Sequence, residues 1–297
     1  MSQLETKNRN PKEKYTTPPF PSQKQGEPGL TDKMSPRPDH GETTYKGSGK
    51  LEGQKTIITG GDSGIGRAVA IAFAREGADV VISYLEKEEK DAQKTAELIR
   101  EAGREALLQP GDISEEAQCR KIIENTMEKF GQIDVLVNNA AYQMAHESIQ
   151  DISSEQWEYT FKTNIHAMFY LCKAAEPHLK PGNSVINTTS VNAYNPTPIL
   201  LDYAATKGAI QNFTSNLAQL WGEKGIRVNC VAPGPIWTPL IPATMPGERV
   251  ENFGKNTPLK RPGQPAELAA TYVLLASEGG SYINGATIQV TGGRATI

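Results

Sequence analysis

The sequence lacks both a long apolar run and a strong excess of charge of either sign. Within its 297 residues, no apolar stretch approaches the roughly 18 residues that a membrane-spanning helix needs. The N-terminal residues contain no apolar core of a secretion signal. The formal net charge is -3 and the pI is about 5.9, which indicates no basic face for nucleic acid. We therefore expect a cytoplasmic protein that binds neither a membrane nor a nucleic acid.

Cysteine and histidine are also scarce. The three cysteines, Cys119, Cys172 and Cys230, are odd in number and widely separated, and they form no C-x-x-C pair. We interpret them as small buried side chains in a reducing compartment. The four histidines do not show the spacing of metal ligands. The sequence therefore predicts neither a disulfide framework nor a metal site.

Apolar strands alternate with longer helical segments from residue 51 onward. Apolar runs predict seven strands, at residues 55–59, 78–84, 106–109, 133–140, 184–187, 226–232 and 287–291. Helical patterns predict helices at residues 64–76, 88–102, 155–177 and 265–277, another from residue 114, and another that ends near residue 223. Repeated alternation with right-handed crossovers predicts a single α/β domain at residues 51–297. Its doubly wound parallel sheet would have seven strands and helices on both faces.

Residues 1–50 differ in composition from this domain. Seven of the twenty prolines precede residue 40, among Lys, Gln, Ser and Gly with few aliphatic residues. Such a segment cannot bury enough apolar surface to offset its ordering entropy, so alone it should be extended or disordered. The alternatives are a solvated tail and an arm that Tyr15, Phe20 and the prolines pin across a neighbouring subunit. We favour partial docking, because the aromatic residues are unexpected in a free tail.

A glycine-rich turn follows the first predicted strand, with the sequence T-G-G-D-S-G-I-G at residues 59–66. Its glycines permit a tight turn and let backbone N–H groups approach a pyrophosphate at the start of the next helix. A turn of this kind can also be a simple connection. Its position between a buried strand and an alanine-rich helix favours nucleotide binding.

Tyr203 and Lys207 are four residues apart, so on a helix both side chains project from one face. An ammonium beside a phenol favours the phenolate and lowers its pKa from the usual value of about 10. Ser190, at the end of the fifth predicted strand, is placed to offer a hydroxyl to the same reacting oxygen. Y-x-x-x-K alone is more often a surface pair on an amphipathic helix, and only the other motifs favour a catalytic role.

Together these motifs resemble those of the short-chain dehydrogenase/reductase family. A serine stands thirteen residues before Y-x-x-x-K, and the glycine-rich turn matches T-G-x-x-x-G-x-G. Residues 138–141 read N-N-A-A where the family has N-N-A-G, and Pro233 and Gly234 match its P-G. The match keeps the family's order and spacing from about residue 51 to the C-terminus. The resemblance implies a Rossmann-type fold of the bacterial kind with an added N-terminal arm. It also implies an NAD(P)-dependent oxidoreductase that interconverts a carbonyl and an alcohol.

The resemblance also implies four catalytic residues. Tyr203 would be the acid or base at the substrate oxygen, and Lys207 would lower its pKa and hold the nicotinamide ribose. Ser190 would orient the substrate, and Asn164 would hold a water against Lys207 for a proton relay. Asn164 also fits a satisfied polar residue within a helix. The alternative, a catalytically silent dinucleotide-binding regulatory protein of the same fold, is disfavoured because all four residues are present.

The cofactor implied by the resemblance is NAD(H) or NADP(H). The residues expected to bind it are Gly60, Asp62, Ser63, Gly64, Ile65, Gly66, Ser83, Tyr84, Asp112, Ile113, Asn139, Ala140, Ala141, Tyr203, Lys207, Pro233, Gly234, Ile236 and Thr238. Tyr84 stands at the position where an acidic residue would select NAD, so its presence favours NADP. Against this, Asp62 would repel a 2′-phosphate, and Glu86 would reach the ribose. The choice between the two dinucleotides stays open. Asp112 is expected to contact the adenine, with Ser114 capping the next helix.

The expected substrate is a small neutral aldehyde, ketone or secondary alcohol, including sugars. Its binding residues are predicted to be Ser190, Asn192, Tyr194 and Tyr203, with Tyr142, Gln143, His146, Pro196 and Trp237 also facing it. No arginine cluster accompanies them. Residues 239–257, rich in proline and glycine, predict a mobile substrate lid. The resemblance further implies a homotetramer, with the predicted helices at residues 114–130 and 154–177 as its candidate interface.

Overall fold

The structure is a computed structural model that describes residues 10–294. Seven strands form one parallel sheet in the order β3-β2-β1-β4-β5-β6-β7. They are β1 (Lys55–Thr59), β2 (Asp79–Tyr84), β3 (Ala106–Pro110), β4 (Val135–Asn138), β5 (Ser184–Thr188), β6 (Arg227–Pro233) and β7 (Thr287–Val290). The strand order reverses between β1 and β4, so a crevice opens there at the carboxyl edge of the sheet. The predicted doubly wound seven-stranded sheet is confirmed.

Helices cover both faces of the sheet. They are α1 (Gly64–Arg75), α2 (Glu89–Glu101), α3 (Glu116–Phe130), α4 (Ser154–Phe161), α5 (Ala167–Ala175), α6 (Leu201–Gly222), α7 (Leu240–Thr244), α8 (Gly247–Glu251) and α9 (Ala266–Ala276). Helices α1, α2 and α9 pack on one face, and α3, α5 and α6 on the other. Ile58 faces the first layer and Ile57 the second, and both are fully buried. This explains why apolar residues stand at consecutive positions of the central strands instead of only at alternate ones.

The predicted helix at residues 155–177 is interrupted in the structure. Helices α4 and α5 are joined by a π-helical segment, Lys162–His166, and Glu176–His178 is a 3-10 turn. Asn164 lies in the π-helical segment, and its side chain bonds to the backbone of Tyr142 outside the helix. Such wide turns are frequent at functional sites. They depend on a tertiary partner, so periodicity in the sequence does not show them.

Helix α3 begins later than predicted and without the expected cap. Its N-cap is Glu115, which makes no side-chain capping bond. The Ser114 backbone N–H instead donates to Asp112 Oδ1 at 2.9 Å. The prediction that Ser114 caps this helix is therefore wrong. The local turn is closed by the aspartate, which also lies at the crevice.

The described part of the arm, residues 10–50, packs against its own chain. Phe20 is only 4% exposed, and its ring centroid is 4.3 Å from that of Trp237. The Trp237 indole N–H donates to the Pro36 carbonyl oxygen at 2.8 Å, and the Tyr15 hydroxyl donates to Asp39 at 2.6 Å. Tyr15 and Phe20, which one of the two alternatives placed against a neighbouring subunit, have intrachain contacts in the structure. Packing of the arm on a neighbouring subunit stays a prediction. The buried Phe20 side chain contributes about 1.5–3 kcal/mol towards ordering an arm that is poor in aliphatic residues.

The predicted lid at residues 239–257 contains the short helices α7 and α8. The arm lies against it: the Phe20 N–H donates to the Glu251 carbonyl oxygen at 2.8 Å, and the Gln25 N–H donates to that of Pro242 at 2.9 Å. This segment is therefore held by the N-terminal arm as well as by the domain. None of the helices within residues 10–294 is long and apolar enough to span a bilayer.

Candidate active site

A cleft of about 810 Å³ lies at the crevice between β1 and β4. All of the residues predicted to bind the dinucleotide line it except Gly66, and so do Ser190 and Asn192. Gly66 has a different function: a Cβ there would lie 1.9 Å from the Gly60 carbonyl oxygen. It therefore permits close packing between α1 and the turn that precedes it.

The glycine-rich turn is shaped so that its backbone can meet a ligand. Gly60 and Gly64 have φ angles of +61° and +49°, which side chains rarely tolerate. A Cβ on Gly64 would lie 3.2 Å from Thr238, in the gap between the turn and the segment after β6. Ser63, the N-cap of α1, makes no side-chain capping bond, so the first N–H groups of the helix stay available for an anion. These features fit the pyrophosphate of a dinucleotide.

Two asparagines tie β4 to its neighbouring strands β1 and β5 beside this turn. The Asn138 amide donates to Asn187 Oδ1 at 2.9 Å, which ties β4 to β5. The Asn139 N–H donates to Thr59 Oγ1 at 2.9 Å, and its side-chain amide donates to the Thr59 carbonyl oxygen at 3.0 Å. The floor of the crevice is therefore fixed by buried polar contacts as well as by apolar packing.

Two carboxyl groups stand near the end of the cleft that the resemblance assigns to the adenosine. Asp62 is 1% exposed, and its Oδ2 has no hydrogen-bond partner within the described chain. Glu88 Oε2 accepts from the Leu85 N–H at 2.9 Å. Burial raises the pKa of both groups, and the charge on Asp62 raises the pKa of Glu88 further. An unpartnered buried carboxyl oxygen beside the glycine-rich turn is consistent with a polar ligand in the cleft.

Tyr203 and Lys207 lie side by side on α6, as their spacing predicts. The Lys207 Nζ is 5.2 Å from the Tyr203 ring centroid and donates to the Thr188 carbonyl oxygen at 2.9 Å. Asp202 fixes the start of the helix, because it accepts from the Tyr203 N–H at 2.8 Å and from the Thr160 hydroxyl at 2.7 Å. Ser190, two residues beyond β5, lines the cleft together with Tyr203. The structure therefore brings the serine, tyrosine and lysine together at one end of the cleft.

The predicted pKa shift of the phenol has the wrong sign in this structure. Burial raises the pKa of Tyr203 to about 12, and the hydrogen bond with Ser190 only partly opposes that rise. Burial also lowers the pKa of Lys207 to about 7. Burial away from water disfavours the charged form of each group, so it raises the pKa of the phenol and lowers the pKa of the lysine. At neutral pH the phenol is protonated, and the lysine is divided between its charged and neutral forms.

Asn164 lies behind the cleft instead of lining it. Its amide donates to the Tyr142 carbonyl oxygen at 2.9 Å and to Thr206 Oγ1 at 3.0 Å, and its Oδ1 accepts from the Tyr142 N–H at 2.7 Å. The side chain therefore ties the segment after β4 to the turn of α6 that carries Lys207. Its role in holding a water stays a prediction.

Several residues predicted to face the substrate do not line the cleft: Tyr194, Pro196, His146 and Trp237. Trp237 is fully buried beneath Phe20, and His146 hydrogen-bonds to Gln156 at 2.7 Å. The sequence missed Leu200 and residues 27–29 of the arm, which line the cleft, and it covered Met245 and Phe253 only as part of the predicted lid. Sequence proximity to the motifs suggested the first set, whereas the second depends on long-range packing. In residues 10–294, no group of three or more His, Cys, Asp or Glu residues could hold a metal ion.

A doubly wound sheet with a glycine-rich turn at its switch point, beside a serine, tyrosine and lysine, defines a dinucleotide-dependent enzyme. A family model described as enoyl-(acyl carrier protein) reductase matches residues 60–295. The chain is 53% identical over 285 residues to the uncharacterized oxidoreductase YhdF of Bacillus subtilis (strain 168), across 96% of this chain and 98% of that protein. It is 48% identical over 273 residues to NADPH-dependent aldehyde reductase 1, chloroplastic, of Arabidopsis thaliana, across 90% and 95%.

Solved structures show the same fold. A short chain dehydrogenase from Burkholderia cenocepacia J2315 in complex with NADP has a TM-score of 0.78 and 31% identity, across 82% of this chain and 98% of that one. A 3-ketoacyl-(acyl-carrier-protein) reductase from Brucella melitensis complexed with NADH has a TM-score of 0.75 and 32% identity, across 82% and 99%. The chain belongs to the short-chain dehydrogenase/reductase family and is an oxidoreductase that uses NAD(H) or NADP(H).

Proposed function

We propose that this enzyme interconverts a carbonyl compound and an alcohol, with Tyr203 as the acid and base at the substrate oxygen. The observation that carries the proposal is that Ser190, Tyr203 and Lys207 line one cleft, with the Lys207 Nζ 5.2 Å from the Tyr203 ring centroid. The nicotinamide dinucleotide supplies or accepts the hydride when bound. The residues named above along the glycine-rich turn and after β4 and β6 would hold it.

The chain's own groups then orient the substrate and move one proton. The Ser190 hydroxyl hydrogen-bonds to the substrate oxygen and fixes it against Tyr203. In carbonyl reduction the phenol donates its proton to that oxygen, and a pKa of about 12 keeps the phenol protonated at neutral pH. In alcohol oxidation the phenolate would take the proton, and a charged Lys207 would favour it. At neutral pH the phenol is thus in the protonated form that carbonyl reduction uses.

The cleft wall around Tyr203 supports a small neutral substrate. Leu200 and Met245 pack near the phenol, and Asn192 supplies an amide beside Ser190. The name of the Arabidopsis relative, an aldehyde reductase, agrees with this chemistry. We propose neutral aldehydes, ketones or secondary alcohols, including sugars, as the substrate class.

A screen of carbonyls and alcohols tests this function. The purified enzyme is mixed with each compound and with NADH, NADPH, NAD or NADP, and the absorbance of the reduced nicotinamide is followed. We expect turnover of several neutral carbonyls, with little turnover of their phosphorylated or carboxylated analogues. Tight binding of a dinucleotide without turnover of any compound would instead favour a silent regulatory protein.

We also propose a homotetramer that acts in the cytoplasm, where the free buried thiols of the three cysteines would stay reduced. Large apolar side chains are exposed on α4, α5 and α6, among them Trp157, Phe169 and Leu220. None of the large exposed apolar residues within residues 10–294 lies on α3, which the sequence had suggested for the interface. Exposed apolar faces of this kind are typical of subunit contacts, and they favour α4, α5 and α6 as the interface.

Replacing Phe169 by Glu should break this assembly. Phe169 is 46% exposed, and a buried unpaired carboxylate at an apolar interface is strongly unfavourable. We expect light scattering to show a molar mass of half or one quarter that of the wild type. Gln93→Glu adds the same charge on α2, in the opposite layer, and should leave the mass unchanged. An unchanged mass for Phe169→Glu would exclude this face from the interface.

A further inference from the structure

The N-terminal arm forms part of the wall of the active-site cleft. Glu27, Pro28 and Gly29 line the same cavity as the glycine-rich turn and the segment after β6. They are thirty or more residues away in sequence from every motif of the family. No predicted function of the domain includes them, so their position in the cleft requires a separate explanation.

The arm is fastened on both sides of the crevice. On the side of the segment after β6, the Gln25 N–H donates to the Pro242 carbonyl oxygen at 2.9 Å. On the side of α2, the Thr31 N–H donates to Asp91 Oδ2 at 2.8 Å. Asp91 also forms a buried ion pair with Arg67, at 3.0 Å between Nη2 and Oδ1. Residues 26–30 therefore cross from the nicotinamide side of the cleft to the adenosine side.

The crossing segment is preformed and fits closely. The Gln25 side chain accepts from the Leu30 N–H at 2.7 Å and donates to the Leu30 carbonyl oxygen at 3.2 Å, which closes a turn around residues 26–29. Gly29 is buried, and a Cβ there would lie 2.3 Å from the Pro239 carbonyl oxygen. A Cβ on Gly26, in the same turn, would have no neighbouring atom within 4 Å. Only one of the two glycines is therefore required by the contact with the domain.

We propose that residues 25–31 are a dinucleotide-binding element that covers the bound cofactor between its adenosine and nicotinamide ends. The proposal rests on the assignment of the cleft to the dinucleotide. Dinucleotide release then requires the arm to lift from α2 or from the segment after β6. The arm thus lengthens the lifetime of the complex, and its contacts stabilise the cofactor without any part in the chemical step.

A pair of glycine variants tests this element in the full chain. Gly29→Ala places a methyl group against the Pro239 carbonyl and should displace the segment, whereas Gly26→Ala meets nothing. Stopped-flow fluorescence gives the release rates of NADH and NADPH, and calorimetry gives their Kd values. We expect Gly29→Ala to accelerate release about tenfold and weaken binding to match, because contact losses act mainly on dissociation. Gly26→Ala should stay within about twofold of the wild type.

Limited proteolysis gives a second readout that needs no variant. Lys24 and Lys33 are exposed on either side of the crossing segment. Trypsin cleavage after these lysines should slow markedly when saturating NADH or NADPH is present, because the arm must lift to enter the protease. Equal release rates in both glycine variants, or cleavage that ignores the dinucleotide, would overturn the proposal. Neither measurement involves turnover, so failure of the carbonyl–alcohol reaction would leave both results interpretable.

Discussion

Tyr203→Phe should bind the dinucleotide normally and lose nearly all turnover. The change removes only the hydroxyl, and the ring keeps its contacts with Leu200 and Ile199. Loss of a positioned general acid costs about 10²- to 10⁴-fold in rate, and this phenol lines the cleft together with Ser190 and Lys207. We expect kcat to fall by about a thousandfold or more, with the dinucleotide Kd within about twofold.

Tyr194→Phe is the matched control for this variant. Ser190 and Tyr194 flank the same short 3-10 turn, but Tyr194 does not line the cleft. Its loss of a hydroxyl should leave kcat and KM close to the wild-type values. Retention of wild-type turnover within several-fold by Tyr203→Phe would transfer the acid–base role to another group. A comparable loss in both variants would indicate a general effect on this segment instead of proton transfer.

The parts of the fold that local pattern encodes could be predicted well from the sequence. β1 spans Lys55–Thr59, as its apolar run indicates, because both faces of this central strand are buried. The glycine-rich turn also lies where expected, since Gly60 and Gly64 take the positive φ angles that only such residues adopt readily. Tyr203 and Lys207 meet because helical spacing alone fixes their relation.

The features that long-range contacts decide could not be predicted. Phe20 becomes ordered through Trp237, more than two hundred residues away, and no local periodicity links them. The π-helical segment around Asn164 depends on the backbone of Tyr142. The pKa of Tyr203 follows from how completely the fold excludes water, whereas the sequence shows only that a lysine is near. Proximity of a cation and the protonation state of its neighbour are therefore separate questions.

The buried lysine should make stability depend on pH in a way that one substitution reveals. In the unfolded chain Lys207 has its usual pKa of about 10.5, whereas burial lowers the folded value to about 7. Between these values unfolding takes up a proton, so raising the pH stabilises the fold. Below about pH 7 the lysine is charged in both states, and the full cost of burying that charge is present.

Lys207→Met removes this cost while it keeps a side chain of similar length. We expect the gain in the free energy of unfolding, relative to the wild type, to be largest below pH 7. It should then shrink by up to about 1.4 kcal/mol per pH unit as the pH rises towards 10. The lost hydrogen bond to the Thr188 carbonyl oxygen adds an offset that does not depend on pH. Subtracting the wild-type free energy of unfolding from that of the variant at each pH cancels the contribution of the other titrating groups. Denaturant unfolding from pH 6 to 10 measures the difference, with exposed Lys255→Met as the control. A difference that does not vary with pH would mean that Lys207 stays charged in the folded protein, so that its ammonium stands permanently beside the phenol.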